Sequence, residues 1–412
     1  MLKIKTFSMK GFNHMVNKSD EMNFCVNCGA KLTTQSNFCP KCGRPIKQIK
    51  GISNSFSEIR MEQEETVSNQ KIPKPSSLWE SATTVLNHYT GESGPVNINL
   101  KNLFSEVFKR HSQNEAEEIF IAGTATTTPQ VSKISSEWGR PWLFSRILIF
   151  FGLIFMLLVY IATDMGNEYA IPGVIMTGAF TVPLSALVFF FEMNSYRNIS
   201  FYEVLKVFFL GGALSIFITV FLYQFVSFSA QNQAYGVMTW SDTISIGLVE
   251  ELGKLFIVIY FVRRKKYQYI LNGILIGAAV GSGFAAFETA GYIYASGNQL
   301  LNVALVRAAI AIGGHVVWTT ISAGALVMVK KSQKFSYRQL LTPNFLVFFG
   351  LAVILHAVWD KGINLMGSLI ITFITLITIA WIIVFVLINA GLKQASRIKR
   401  SGPSANSSQY YN

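Results

Sequence analysis

Residues 243–262 read TISIGLVEELGKLFIVIYFV. A helix needs about 20 mostly apolar residues to cross a bilayer, and this stretch qualifies. Yet Glu250, Glu251 and Lys254 sit in its middle. Each ionisable side chain at mid-bilayer costs roughly 2.5–3.5 kcal/mol on insertion scales, and a simple anchor has no reason to carry three. At helical spacing Glu250 and Lys254 (i, i+4) share a face, with Glu251 about 100° round from Glu250. One carboxylate is then neutralised within the helix while the other points into the bundle. An ion pair that fixes helix register is the bland reading; an intramembrane active site accounts better for the clustered charges.

The whole chain fits that setting. Of 412 residues 51% are hydrophobic and only 14% charged, with 33 Phe, which excludes a disordered chain and favours a polytopic membrane protein with a soluble appendage. The net charge of +13 falls mostly in short loops and tails between apolar runs. That is a topology signal rather than a nucleic-acid-binding stripe, so the bilayer, not nucleic acid, is the expected partner. The first twenty residues lack the apolar core of a signal peptide.

Working outward from 243–262, eight apolar spans are expected, at about 146–163, 169–191, 206–227, 243–262, 270–293, 303–328, 344–361 and 367–390. The loops holding Arg197, Arg263–Lys266 and Lys330–Arg338 alternate with loops poor in basic residues. The positive-inside rule then places both termini in the cytoplasm of a bacterial cell and the spans in its plasma membrane. Trp138, Arg140, Trp142 and Arg146 read as an interfacial collar.

The expected fold is an all-α polytopic membrane protein. The expected order is a basic tail (1–22), a zinc ribbon (23–45), a disordered linker (46–78), a soluble, mostly helical juxtamembrane segment (79–139), an eight-helix membrane domain (140–392) and a basic cytoplasmic tail (393–412). Within the juxtamembrane segment Leu100, Leu103, Phe104, Val107 and Phe108 recur at helical spacing and predict an amphipathic helix. His88 and His111 are expected to be solvated.

All four cysteines lie in FCVNCGAKLTTQSNFCPKCG, residues 24–43. Cys25-x-x-Cys28 and Cys39-x-x-Cys42, each followed by Gly, let four thiolates converge on structural Zn²⁺ with no open position. Disulfides are the competing reading, and a reducing cytoplasm disfavours them. The segment resembles the small zinc ribbon fused to the N-terminus of many bacterial membrane proteins. A cytoplasmic partner for it is an open expectation.

Further polar groups recur in the following spans: Glu288 four residues after Phe284, Arg307, His315 after Gly313-Gly314, and His356-x-x-x-Asp360. Given alternating helix directions, the glutamates, histidines and Asp360 all fall between mid-membrane and the outer face. Independent anchors have no cause to agree in depth. Arg307 is expected to snorkel or to pair with Glu288. Asn272 lies on the other side, as packing or capping, and Gly273, Gly277 and Gly281 give a stripe for close helix approach.

Glu250-Glu251-Leu-Gly-Lys254, Phe284-Ala-Ala-Phe-Glu288, an isolated His315 and His356-Ala-Val-Trp-Asp360 together resemble the PrsW family of bacterial intramembrane proteases. That family is related to the CAAX-prenyl-protease and bacteriocin-processing membrane proteins, but Lys254 and Glu288 depart from the CAAX-type pattern. The resemblance implies hydrolysis of a peptide bond in a membrane-anchored protein near the outer boundary, for instance an anti-sigma factor in stress signalling. It also implies that catalytic work falls to Glu250, Glu251, Lys254, Glu288, His315, His356 and Asp360. Chemically, Glu250 or Glu251 suits a general base for water, with Lys254 keeping the other ionised. His315 suits alignment of the water or protonation of the leaving amine. His356, oriented by Asp360, suits an oxyanion donor, and Glu288 suits sharing the water or binding metal. Two histidines and a glutamate also make a catalytic Zn²⁺ site, although no HExxH helix is present, so glutamic and metal-dependent chemistry both stay open. The rivals are a proton-coupled carrier, against which no inverted repeat of the polar motifs appears, and a non-catalytic sensor or scaffold.

Overall fold

The computed structural model describes residues 23–24, 31–32 and 77–401. The chain forms two units, Met1–Lys74 and Pro75–Asn412. In the first, β1 (Asn23–Phe24) and β2 (Lys31–Leu32) pair antiparallel, Asn23 opposite Leu32 and Phe24 opposite Lys31. Cys25, Cys28, Cys39 and Cys42 lie outside the described residues, as do the basic tail, nearly all of the linker and residues 402–412.

The second unit opens with a juxtamembrane segment holding α1 (Leu78–Thr90), α2 (Leu100–Leu103) and α3 (Gln113–Phe120). Ser77 caps α1 and Gly91, in the left-handed region at φ 77°, ends it. Ser112 and Glu115 form a capping box on α3. The amphipathic helix expected through Phe108 does not form. It stops at Leu103 and gives way to turns, because its apolar residues are used singly: Leu103 is buried, Phe108 is 94% exposed, and Phe104 packs on Phe144 and Phe189.

This segment docks on the membrane helices rather than floating beside them. Trp79 and Trp138 pack against Phe385, Asn344 donates to the Tyr89 carbonyl, and Glu92 faces Lys393 and Arg397. The interfacial collar is part of the same junction. Trp142 is buried, and Arg146 donates to the Lys109 carbonyl. His111, expected in solvent, is stacked on Trp142 with ring centroids 3.8 Å apart; His88 is exposed as expected.

Next come α4 (Leu143–Thr163), α5 (Ile171–Met193), α6 (Phe201–Tyr223), the short α7 (Ala230–Tyr235), α8 (Trp240–Val262), α9 (Ile270–Ala295), α10 (Leu300–Ile310), α11 (His315–Lys330), α12 (Pro343–Lys361) and α13 (Leu369–Arg400). Seven stretches are long and apolar enough to cross a membrane, α10 and α11 together counting as one. The stretch expected as the eighth span is α8. It has 23 residues, as do α5 and α6, and falls outside the apolar set because Glu250, Glu251 and Lys254 occupy its centre. The protein is thus a multi-pass membrane protein, as the hydropathy pattern predicts.

α9 is the central helix, with glycines on two faces. A Cβ on Gly281 would lie 2.5 Å from the His315 carbonyl oxygen of α11, and one on Gly283 would lie 2.0 Å from the Phe208 carbonyl oxygen of α6. Only glycine permits both approaches. α8 packs between α6 and α12. Asn272, near the start of α9, is fully buried and bonded to Asn198 at 2.7 Å, which is the packing role expected of it.

One expected span differs. The run 303–328 is not continuous: α10 ends at Ile310, a 3₁₀ turn covers Ala311–Gly313, and Gly314 is extended (φ −95°, ψ −136°) before α11 starts at His315. A side chain on Gly313 would collide with Ile377. The break turns His315 from a mid-helix residue into a helix N-terminal one. Such interruptions survive in membranes only where protein satisfies the freed backbone.

Candidate active site

Helix register delivers the polar groups to one place. α8 contributes Glu250, Glu251 and Lys254 from adjacent turns, α9 Glu288, α11 His315 from its first turn, and α12 His356 and Asp360 one turn apart. All seven residues expected to act together lie in this cluster. Four are essentially solvent-free, with Glu250 at 7%, Glu251 and His356 at 1% and Lys254 at 0% exposure. Buried charge is tolerable only when paired and hydrogen-bonded, and the pairs are evident.

Lys254 Nζ lies 2.7 Å from Glu251 Oε1 and 3.7 Å from Glu250 Oε2. The i, i+3 glutamate therefore takes the close contact and Glu250 the looser one. The same ammonium approaches His315 Nδ1 at 2.8 Å and the Phe284 ring at 4.3 Å. Glu288 Oε2 contacts His315 Nε2 at 2.9 Å and Arg307 Nη2 at 2.7 Å. Arg307 thus pairs with Glu288, and its Nε donates to Thr289. His356 Nδ1 meets Glu251 Oε1 at 3.0 Å, while its Nε2 faces Glu250 Oε2 at 3.6 Å and Asp360 Oδ2 at 3.4 Å. The hydrogen-bonded partner of His356 is therefore Glu251, with Asp360 further off. Trp318 stacks on His356, ring centroids 4.4 Å apart, and holds its plane.

These contacts orient both imidazole rings. A carboxylate beside one ring nitrogen keeps the proton there and leaves the lone pair on the other. The other ring nitrogens, His315 Nδ1 (also 2.8 Å from Lys254 Nζ) and His356 Nε2, face Glu250 Oε2 at 3.9 Å and 3.6 Å. Glu250, His315 and His356 offer one ligand atom each, all within 4.8 Å of one another. Glu250 Oε2 is buried with no hydrogen-bond partner among the described residues. One carboxylate oxygen without a hydrogen bond and two imidazole nitrogens make a donor set that fits a divalent cation and leaves a position for water. Glu251 and Glu288 complete two carboxylate–histidine pairs of the kind that orient metal ligands.

The sequence reading missed Tyr223. This last residue of α6 donates its hydroxyl to Glu250 Oε1 at 2.9 Å. Its signal is weak because a tyrosine at a span end ordinarily reads as an interfacial anchor.

Comparison with known proteins covers this region. Residues 201–388 match the family model described as PrsW family intramembrane metalloprotease, and residues 24–46 match a zinc-ribbon domain. The Protease PrsW of Halalkalibacterium halodurans is 25% identical over 187 residues, which is 45% of this chain and 81% of that protein. The Protease PrsW of Clostridioides difficile is 28% identical over 190 residues, 45% of this chain and 72% of the relative. That of Geobacillus kaustophilus is 26% identical over 183 residues, 43% and 74% respectively. No solved structure matches the chain significantly. The matched segment runs from α6 into α13 and contains every residue of the cluster, so α1–α5 lie outside it. The segment that holds the cluster is thus similar to the PrsW family of intramembrane metalloproteases, and these homologues make the chain a membrane-embedded protease.

Proposed function

We propose that the chain hydrolyses a peptide bond of a membrane-anchored protein at the α8–α9–α11–α12 cluster, with Glu250, His315 and His356 holding Zn²⁺. The observation that carries this reading is the convergence, within 4.8 Å, of one carboxylate oxygen without a hydrogen bond and two imidazole nitrogens, each imidazole held from behind by a carboxylate. Bound zinc would supply Lewis-acid polarisation and lower the pKa of water. Glu251 and Glu288 orient the histidines, and Tyr223 orients Glu250. Lys254 balances the buried negative charge. Asp360, with 22% side-chain exposure, is the carboxylate best placed to take the proton that water loses on attacking the carbonyl and to return it to the departing amine.

A second reading has its own observation. Lys254 Nζ already brings a cation to His315 Nδ1 at 2.8 Å, which would suit a metal-free glutamic site with Glu250 as base. Zinc content separates the two.

Tyr223 and Asp360 stand at helix ends, and Glu250 is about 15 Å along α8 at 1.5 Å per residue. The cluster therefore lies toward the side opposite the basic loops. If those loops are cytoplasmic, as the positive-inside rule predicts, both termini are cytoplasmic and the cut is made near the outer boundary. A membrane-anchored regulator such as an anti-sigma factor suits that depth. The ribbon's four cysteines, inside the matched segment 24–46, would hold a structural Zn²⁺ and offer a cytoplasmic partner a docking point. The test compares membranes from cells expressing wild type or Glu250→Gln at equal abundance and maps new protein termini by mass spectrometry. Termini near membrane boundaries that require Glu250 support protease action at this site. Identical termini with an intact substrate contradict it.

A further inference from the structure

Far from the catalytic cluster, the juxtamembrane segment and the α5–α6 connection enclose a cavity of about 350 Å³. Its wall includes Lys133, Arg140, Arg197, Asn194, Ser195, Glu137 and Glu192. The two acids differ in state. Glu192 is spent as the cap of α4, accepting from the backbone N–H groups of Trp142, Leu143 and Phe144 at 2.9–3.0 Å. Glu137 has no side-chain partner among the described residues. Of the cations, Arg140 makes only a 4.0 Å contact to Glu106, and Lys133 and Arg197 have no ion-pair partner among the described residues.

The buried wall is short of acceptors in the same way. Asn194 is 2% exposed and its Oδ1 accepts from Asn272, but among the described residues its Nδ2 and the buried Ser195 Oγ have no hydrogen-bond partner. A buried donor left unsatisfied is destabilising, so each such group calls for an explanation. Arg197 adds another oddity. It holds φ at 44°, a region that ordinary side chains enter rarely and that tends to mark functional positions. A turn bond from its N–H to the Asn194 carbonyl keeps it there.

We propose that this cavity binds a phosphate group, presented by the headgroup of an anionic phospholipid. Phosphate oxygens only accept, which matches two orphan donors and three cationic side chains. The cavity adjoins the N-terminal end of α4 and the C-terminal end of α5, at the level where headgroups lie, and basic pockets on that side of a membrane suit such headgroups. A headgroup here would bridge the juxtamembrane segment to the α5–α6 connection.

The test uses the full chain purified in detergent, with phosphatidylglycerol, phosphatidylcholine and inorganic phosphate as probes and native mass spectrometry as the readout. Wild type should retain phosphatidylglycerol about tenfold better than phosphatidylcholine. Lys133→Gln with Arg197→Gln, both exposed positions, should lower that retention about tenfold. Glu137→Gln should raise it about two- to fivefold by removing a like charge. A merely structural role would not produce these opposite signs. Displacement of the lipid by millimolar inorganic phosphate, or phosphate binding without lipid retention, would keep the phosphate chemistry but assign a soluble source. Unchanged retention of both probes in the double variant, or a loss in Glu137→Gln, would overturn the proposal.

Discussion

Neighbouring glutamates on one helix should fail in different ways when neutralised. Glu251 is wholly buried and touches Lys254 at 2.7 Å and His356 at 3.0 Å. Glu251→Gln leaves a buried ammonium without its close counter-charge, and breaking such a pair costs about 3–5 kcal/mol. The glutamine oxygen still accepts one hydrogen bond, so the lower end, about 3 kcal/mol, is expected. Glu250 is 3.7 Å from Lys254, and its Oε2 has no hydrogen bond to lose. Glu250→Gln keeps the close Lys254–Glu251 pair and should therefore cost less than Glu251→Gln, while abolishing hydrolysis. The assay is SDS-titrated unfolding of the purified chain alongside cleavage in reconstituted vesicles. Both variants should lose activity, and Glu251→Gln should shift the unfolding midpoint further than Glu250→Gln does. Equal stability of the two variants, or the reverse order, would refute the pairing scheme drawn from these distances.

Tyr223→Phe removes only the hydrogen bond to Glu250. It should lower kcat about 10- to 100-fold, as loss of a group supporting a metal ligand does, with an unaltered unfolding midpoint. Gly281→Val should prevent stable expression, since its Cβ would stand 2.5 Å from the His315 carbonyl oxygen; full activity would mean that α9 and α11 are not so close. Glu92→Gln loses contacts to Lys393 and Arg397 whose side chains are 39% and 58% exposed. It should change stability by less than about 1 kcal/mol, measured by the same titration at low and high salt.

The membrane helices and the polar cluster among them were legible because hydropathy and misplaced charge are strong signals. Glu250, Glu251 and Lys254 interrupt an apolar run at a cost that demands a reason, and Glu288, His315, His356 and Asp360 share their depth. What stayed hidden depends on partners distant in sequence. Ile310–Gly313 is apolar, so hydropathy carries no trace of the break that puts His315 at a helix start, where Ile377 lies close over Gly313. Tyr223 and Trp142 belong to a residue type that is common at interfaces, and only the fold turns one toward Glu250 and buries the other under His111. The helical spacing of Leu100–Phe108 was real, but individual docking of Leu103 and Phe104 onto the membrane helices prevailed over local periodicity.

The central claim is that Glu250, His315 and His356 hold a metal, and zinc content of the purified full chain tests it most directly. Elemental analysis should find about two zinc ions per wild-type chain, one for the ribbon and one for this site. His315→Ala with His356→Ala should leave about one, and Cys25→Ser with Cys28→Ser should leave the other. An active wild-type chain with a single zinc that the double-histidine variant retains would contradict the claim and leave a glutamic mechanism at Glu250.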